Sequence, residues 1–453
     1  MKYEIIFLGG TEEMGANSIY LYLNGTGIIL DSGLHPKKRN YEAFPIYELL
    51  RDKQVDLLII SHAHTDHLGA LPYLLKFQNH IQIISSEPTK DLAHIMLRDT
   101  AKLLKSDLIN EFAQDALSLY KPETLEKIEH LITGYKFKQK IEFTGKNGLE
   151  KIIITLFPAG HILGATGVLL ECGGKSIFYT SDVKFSNQYV IPKADYPNHH
   201  FDVLISESTN CDTPNLPSFA EEQKRISKFI NEIVNENGSI LIPVFALGKH
   251  QEILKMISNI MKKGSIPLLP IYTAGMSKKI SRVYDIYTYS TPRLKPGFEF
   301  TDIPQEDIDY EEINSGNYFH QPSIVLVPSG MMNERTLSFN LAKKWMRIKN
   351  FGIAFVGYVD EDSPAYQLSN SKPNKEFLFG QKKSKRICKI ETFRFSAHAS
   401  FDEIFNFIDT TKPEVLFVTH GDINAREALA FRTHTEIPQT KTIIPRTSKS
   451  YEL

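Results

Sequence analysis

Cysteine is scarce and scattered: Cys172, Cys211 and Cys388 are the only three in 453 residues, and none forms a Cys-x-x-Cys pair. That excludes a disulfide scaffold and a thiolate-built zinc site. A bulk charge of one sign is missing too, since 52 Lys and Arg stand against 53 Asp and Glu. No overall field would draw in a polyanion, so any nucleic acid must be held by a local groove. Long apolar runs are absent, none approaching the ~18 residues needed to cross a bilayer. The opening Met1 to Gly10 stretch carries an early acid and a very short apolar run, which reads as a strand rather than a signal peptide. A cytoplasmic protein with no membrane partner is expected. What is present, 42% hydrophobic and 23% charged residues, is the make-up of a globular protein. A chain this long is expected to divide into two or three domains.

Against that background one stretch stands out, Ser61 to Gly69, which carries His62-x-His64-x-Asp66-His67. Residues 55–60 before it read as a buried strand. Residues 68–77 after it have helical spacing, with Leu71, Leu74 and Leu75 on one face. Histidines at i and i+2 in an extended segment share a side and can reach one ion. Asp66 and His67, at the helix start, would face a second point. Imidazole nitrogen with carboxylate oxygen suits Zn²⁺. The competing reading is a polar, partly buried turn.

Residues 3–8 and 18–23 alternate as strands, and 27–33 form a third that ends at Asp31. Two readings of Asp31 stay open: a turn-capping residue, or a carboxylate that orients a ligand histidine through its other ring nitrogen. Residues 87–131 have helical spacing through Leu92, Ile95, Met96, Leu103, Leu104, Leu108 and Ile109. His94 and His130 within that stretch read as surface or packing residues. Strands at 151–157 and 167–171 flank a loop carrying His161, and a strand at 176–180 runs into Asp182. These repeat the placement of the first cluster, at strand ends where an α/β sheet gathers functional groups. They supply a third histidine and a bridging carboxylate. A further strand, 201–206, ends at Glu207.

The texture then changes to a parallel α/β pattern: helix 218–236, strand 238–243, helix 248–262, and continued alternation to 355. Residues 209–386 are therefore read as a second domain. Residues 298–316 are an acidic loop, and the basic run of Lys382, Lys383, Lys385 and Arg386 is a solvated face. The last portion returns to the first pattern. Strand 390–395 leads to His398, and strand 415–418 leads to His420. Residues 1–208 and 387–453 then form one domain, and 209–386 an insertion in it.

Several strings occur in order over nearly the whole chain. They are Thr89-Lys-Asp-Leu-Ala, Leu97-Arg-Asp-Thr-Ala-Lys102, Pro158-Ala-Gly-His-Ile-Leu-Gly-Ala165 and Ser206-Glu-Ser-Thr. Pro243-Val-Phe-Ala-Leu-Gly-Lys-His-Gln-Glu-Ile-Leu254, Ser329-Gly-Met-Met, Gly357-Tyr, Phe395-Ser-Ala-His-Ala-Ser and Val418-Thr-His-Gly complete the set. Together with the histidine cluster they resemble the metallo-β-lactamase superfamily, and within it the β-CASP nucleases. The resemblance implies an α/β fold, a four-layer αββα sandwich with an inserted parallel α/β domain. It implies two zinc ions, one held by His62, His64 and His161, the other by Asp66, His67 and His420, with Asp182 bridging. Glu207, His398 and His420 match the family's motifs A, B and C. A histidine at motif C accompanies RNA-directed members, so His420 favours RNA over DNA. The pattern departs from the family at Asn333-Glu334, where a glycine pair is frequent, and at Lys249, where arginine is frequent. No KH-like module or C-terminal extension is seen, so an RNA-guiding protein partner is expected. Homodimerisation through the C-terminal region is a family-level expectation.

The chemistry follows from the phosphodiester, whose anionic oxygens repel hydroxide. Two zinc ions ~3.5–4 Å apart neutralise that charge and hold hydroxide in line. The departing 3′-oxygen needs a proton, for which His398 is the candidate acid and Glu207 the residue that keeps it protonated and oriented. Asp66 counts among the catalytic residues as well as the ligands. The turn at Ser329 and Gly330, before a helix starting near Glu334, can offer N–H groups to a substrate phosphate, with Lys249 nearby in the pattern. A plain strand-to-helix turn explains it equally well. The expected activity is hydrolysis of single-stranded RNA, with endonuclease and 5′-exonuclease modes both open. The alternatives are a DNA nuclease, a small-molecule metallo-hydrolase, which would need neither Glu207 nor His398, and a non-catalytic subunit, which should have lost ligands.

Overall fold

The computed structural model describes residues 3–107, 118–309 and 321–453, in two compact units. The first comprises Met1–Asn187, Lys193–Pro214 and His398–Leu453, and it holds two seven-stranded sheets. One sheet runs, in spatial order, Ser450–Glu452, Tyr3–Gly9, Ser18–Leu23, Thr26–Leu30, Leu57–Ile60, Gln82–Ser86 and Ile132–Tyr135. The other runs Lys441–Ile443, Val415–Val418, Val203–Ser206, Lys175–Tyr179, Thr166–Cys172, Ile152–Pro158 and Lys140–Phe143. The closing stretch completes both: Ser450–Glu452 pairs antiparallel with Tyr3–Gly9, and Val415–Val418 pairs parallel with Val203–Ser206.

Period-two alternation decides which face meets which. In the second sheet Val168, Leu170, Ile177, Tyr179, Val203, Ile205 and Phe417 point inward, into one core with Ile5, Phe7, Leu21, Leu30, Leu57 and Ile59 of the first. Their strand neighbours Leu169, Phe178, Leu204, Leu416 and Val418 point outward. There they pack with Ile404, Phe405 and Ile408 of helix Phe401–Thr411, and with Ala425 and Leu429 of helix Ile423–Glu436. On the far side, helix Glu87–Asp107 lies against Gln82–Ser86 and Ile132–Tyr135. The unit is thus the expected αββα sandwich.

Of the helical stretch expected over 87–131, Glu87–Asp107 and Pro122–Leu131 are helices, with a turn at residues 120–121 before the second; Leu108 and Ile109 lie outside the described residues. His130 is exposed, and His94 pairs with Glu129, in keeping with packing or surface roles. The strands Ile132–Tyr135 and Lys140–Phe143 were not anticipated. Both are only four residues long, too short to stand out in sequence, and their sheet partners stabilise them. The helix expected over 68–77 is split into Thr65–Leu68 and Leu71–Phe77, the second opening on Pro72, a residue suited to a helix's first turn.

The second unit comprises Gln188–Pro192 and Asn215–Ala397. Its six-stranded sheet is parallel throughout: Glu306–Asp307, Ile271–Thr273, Ile324–Val327, Ile240–Pro243, Gly352–Phe355 and Lys389–Thr392. Every residue of Ile240–Pro243, Ile324–Val327 and Gly352–Phe355 is buried, as in a parallel sheet covered on both faces. Part of the acidic stretch 298–316 falls outside the described residues. The breaks read from sequence at 208/209 and 386/387 fall instead at 214/215 and 397/398. The second shift has a clear cause: Lys389–Thr392 pairs with Gly352–Phe355 and so belongs to this sheet. Lys382, Lys383 and Lys385 are exposed on the hairpin Glu376–Phe379/Lys382–Lys385. Arg386 is not part of that solvated face; it is buried and donates to the Ser371 and Cys388 carbonyls.

Candidate metal centre

The candidate residues gather where strands of both sheets end: Asp31 after Thr26–Leu30, the histidine cluster after Leu57–Ile60, His161 after Ile152–Pro158, Asp182 after Lys175–Tyr179, Glu207 after Val203–Ser206, and His420 after Val415–Val418. Three non-glycine residues here hold a left-handed backbone: Asp31 (φ 61°), Ser181 (φ 51°) and His420 (φ 46°). Each such conformation costs on the order of 1 kcal/mol or more, so surrounding contacts must enforce it. Gly33 is required for another reason. A Cβ there would fall 1.6 Å from the Asp66 carbonyl oxygen. The loop after Asp31 can therefore run directly beneath the Asp66 turn, where Ser32 N donates to His67 O (2.8 Å) and Leu34 N to Thr65 O (2.9 Å).

Two clusters share Asp182. In the first, His64 Nδ1 lies 3.2 Å from His62 Nε2 and 3.1 Å from His161 Nε2, while Asp182 Oδ2 is 3.5 Å from His62 Nε2 and 3.6 Å from His161 Nε2. Ligand atoms held tetrahedrally at ~2.0–2.1 Å from a zinc ion are separated by about 3.3 Å. The four atoms match that spacing. In the second, Asp66 Oδ2 is 3.7 Å from His67 Nε2 and 3.4 Å from His420 Nε2, and Asp182 Oδ1 is 3.3 Å from His67 Nε2; its 3.3 Å approach to His420 is to the other ring nitrogen, Nδ1. Asp182 Oδ1 is buried with no hydrogen-bond partner, a burden for a carboxylate that a cation would relieve. The donor set fits zinc on both counts.

Neighbours prepare the rings for that task. Asp31 resolves its open reading: Oδ2 lies 2.7 Å from His67 Nδ1, so the proton sits there and Nε2 keeps its lone pair. Asp31 is itself held by Ser61 N (2.7 Å), Ser61 Oγ (2.8 Å) and the Tyr179 hydroxyl (2.9 Å). Ser61 Oγ donates to Asp31 and accepts from Ser181 Oγ (2.6 Å); His62 Nδ1 is 3.1 Å away and donates to it as well. Burial, then neighbouring His67, holds His62 well below the ordinary histidine range. Burial also opposes charge on His67 and His420, but Asp182 and the other carboxylates outweigh it and push both up. Asp182 is held well below the carboxylate range: burial resists, and His420 and His67 prevail. The centre as a whole attracts positive charge.

A further pair, Glu207 and His398, groups with Asp182 and His420 within 4.8 Å. His398 Nδ1 lies 3.0 Å from Glu207 Oε2 and 3.2 Å from Oε1. Glu207 is 1% exposed, and Val183 N donates to Oε1 at 2.6 Å. The His398 side chain is 21% exposed, so it reaches both the carboxylate and the solvent side. Its backbone carbonyl takes the Lys184 ammonium at 3.0 Å.

Residues 20–208 match the metallo-beta-lactamase superfamily domain, residues 250–368 the Beta-Casp domain, and residues 384–445 the Zn-dependent metallo-hydrolase RNA specificity domain. The chain belongs to the β-CASP branch of the metallo-β-lactamase superfamily. Among its β-CASP relatives, cleavage and polyadenylation specificity factor subunit 3 of Dictyostelium discoideum is 28% identical over 99% of this chain and 57% of the relative. Endoribonuclease YSH1 of Yarrowia lipolytica is 27% identical over 100% and 55%. Cleavage and polyadenylation specificity factor 73 of Drosophila melanogaster is 30% identical over 95% and 61%. The chain thus spans little more than half the length of these relatives. A crystal structure of a protein of unknown function from Enterococcus faecalis V583 shares the fold, with a TM-score of 0.60, 15% identity and full coverage of both chains.

Each of His62, His64, Asp66, His67, His161, Asp182, Glu207, His398 and His420 falls in this β-CASP centre. Ser329, Gly330 and Lys249 lie in the other unit. Ser329 N donates to Ser338 Oγ (3.0 Å), and the Lys249 ammonium gives one of its three protons to the Phe395 carbonyl. The helix expected near Glu334 begins at Leu337, capped by Thr336. Sequence reasoning missed Ser61, Ser181, Tyr179 and Thr209. Ser61 and Ser181 each precede a ligand and Thr209 closes the Ser206-Glu-Ser-Thr string, but residue types so common in loops carry no role of their own in the sequence.

Proposed function

We propose that the chain is a zinc-dependent endonuclease that hydrolyses single-stranded RNA. The reading is carried by the His398–Glu207 pair, a protonatable imidazole held beside the metal clusters but not needed to complete them. His62, His64 and His161 would hold one zinc ion and Asp66, His67 and His420 a second, while the two oxygens of Asp182 face one cluster each. When bound, the ions supply electrostatic stabilisation of the phosphoryl group and acidify water. Glu207 holds the Nδ1 proton of His398, leaving Nε2 to deliver a proton to the departing 3′-oxygen. The buried ring of His62 and the hydrogen-bonded ring of His67 are held in place before any ion or substrate arrives.

RNA is favoured by the match to the RNA specificity domain and by the relatives named as endoribonucleases. Dimerisation through the C-terminal region and a separate RNA-guiding partner belong to the same reading; light scattering of the purified chain tests the first. The function itself is tested with zinc-loaded protein and matched circular RNA and circular DNA. Opening of the RNA circle alone is expected. Equal opening of both circles would make it a general nuclease, and cleavage of only linear RNA from its 5′ end would make it an exonuclease. Inertness towards all of them would end the nuclease reading.

A further inference from the structure

Thr209 stands between two parts of the centre. Its Oγ1 lies 2.5 Å from Glu207 Oε2 and 3.0 Å from His420 Nδ1. A hydroxyl has one proton to donate and lone pairs to accept with. The carboxylate oxygen only accepts, and it is the shortest contact, so the Thr209 proton goes to Glu207. The His420 carbonyl, 3.3 Å away, is a weaker claimant. Thr209 then presents a lone pair to His420, which only an Nδ1–H can meet. The other neighbour of that nitrogen makes the same demand, since Asp182 Oδ1, 3.3 Å away, is also an acceptor. With Nδ1 protonated, the lone pair of the neutral ring is left on Nε2, which lies 3.4 Å from Asp66 Oδ2 in the second cluster.

We propose that Thr209 is a positioning residue that sets the tautomer of His420 and couples the His398–Glu207 pair to the second metal cluster. It does for His420 what Asp31 does for His67, with a neutral hydroxyl in place of a carboxylate. The hydroxyl also braces Glu207: with Val183 N on Oε1 and Thr209 on Oε2, the carboxylate cannot swing away from His398. The inference rests on the reading of His420 as a zinc ligand.

The test compares Thr209→Val, which keeps the shape and removes the hydroxyl, with Thr209→Ser, which restores it. Three quantities are measured: the protonated ring nitrogen of His420 on zinc-free, ¹⁵N-histidine-labelled protein, where no metal dictates the tautomer, and, with zinc, the affinity by chelator competition and the cleavage rate. The His420 signal is assigned by its loss in His420→Ala. In wild type and Thr209→Ser the proton is expected on Nδ1. Thr209→Val should lose a single tautomer and bind its weaker zinc about tenfold to a hundredfold less tightly. Its rate should fall with it, and serine should restore both. A wild-type His420 protonated on Nε2 overturns the proposal without any variant. So does a Thr209→Val protein with unchanged tautomer and zinc affinity, or a folded Thr209→Ser protein that behaves like valine. His420→Ala separates this from the underlying reading: if it retains both zinc ions, the ligand assignment fails, and if it loses one while Thr209→Val loses nothing, only the role of Thr209 fails.

Discussion

Asp31→Asn exchanges one oxygen for an amide group while leaving shape and backbone alone. Asparagine tolerates the left-handed φ of 61° at this position. The damage therefore reports hydrogen bonding and charge. Asp31 Oδ1 accepts from Ser61 N (2.7 Å), and Oδ2 accepts from Ser61 Oγ (2.8 Å), the Tyr179 hydroxyl (2.9 Å) and His67 Nδ1 (2.7 Å). An NH₂ group in place of Oδ1 would face the Ser61 N–H, which cannot turn. In place of Oδ2 it would face His67 Nδ1–H, and the two hydroxyls could reverse but the imidazole would have to move its proton to Nε2. That consumes the lone pair offered to a cation. Either arrangement leaves a buried polar group unmatched, at a cost of about 1–3 kcal/mol. Loss of such a ligand-orienting partner weakens metal binding by roughly 10–100-fold, or about 1.4–2.7 kcal/mol at about 1.4 kcal/mol per tenfold. Competition against a chromophoric zinc chelator measures it, with circular dichroism as the check on folding. A folded Asp31→Asn protein that binds zinc with wild-type affinity and stoichiometry would refute the reasoning.

Other outcomes are equally specific. His398→Ala should keep its zinc and cleave about 10²–10⁴-fold more slowly, whereas Asp182→Ala should lose zinc as well as rate; metal analysis beside single-turnover cleavage distinguishes them. Phe417 is fully buried between the sheets, its ring 5.3 Å from Phe7 and 5.2 Å from Tyr451, so Phe417→Ala should cost about 3–5 kcal/mol and lower the thermal midpoint. Burial pushes Glu252 up to about 7 from its ordinary 4.5, although Tyr189, Val190 and Ile191 donate backbone N–H groups to it. The folded protein thus binds more protons than the unfolded chain between those values, and stability from this group is present below pH 4.5 and lost as pH rises to 7. Glu252→Gln should flatten the fall in the urea midpoint between pH 5 and pH 8; an unchanged slope would show that Glu252 does not titrate there.

The candidate metal ligands were legible because a metal needs rare residue types, and His62, His64, Asp66 and His67 crowd those types into one strand-end loop. His161, Asp182 and His420 were legible by repetition, each following an apolar strand. The breaks between the units were not. Lys389–Thr392 reads as a strand in either unit, and pairing with Gly352–Phe355 decides which. The strands Ile132–Tyr135 and Lys140–Phe143 were missed because each is only four residues long and gains its stability from its sheet neighbours.

By itself, then, the amino-acid order determined the alternating strands, the parallel α/β texture of the middle, and the identity of the residues able to bind a cation, since each depends on local pattern and side-chain type. Tertiary structure alone decided that Asp31 serves His67 and that Thr209 stands between Glu207 and His420, and it set Glu207 beside His398, a pairing expected from their motifs. These are contacts across long stretches of chain, made by common residues whose meaning comes from what the fold sets beside them.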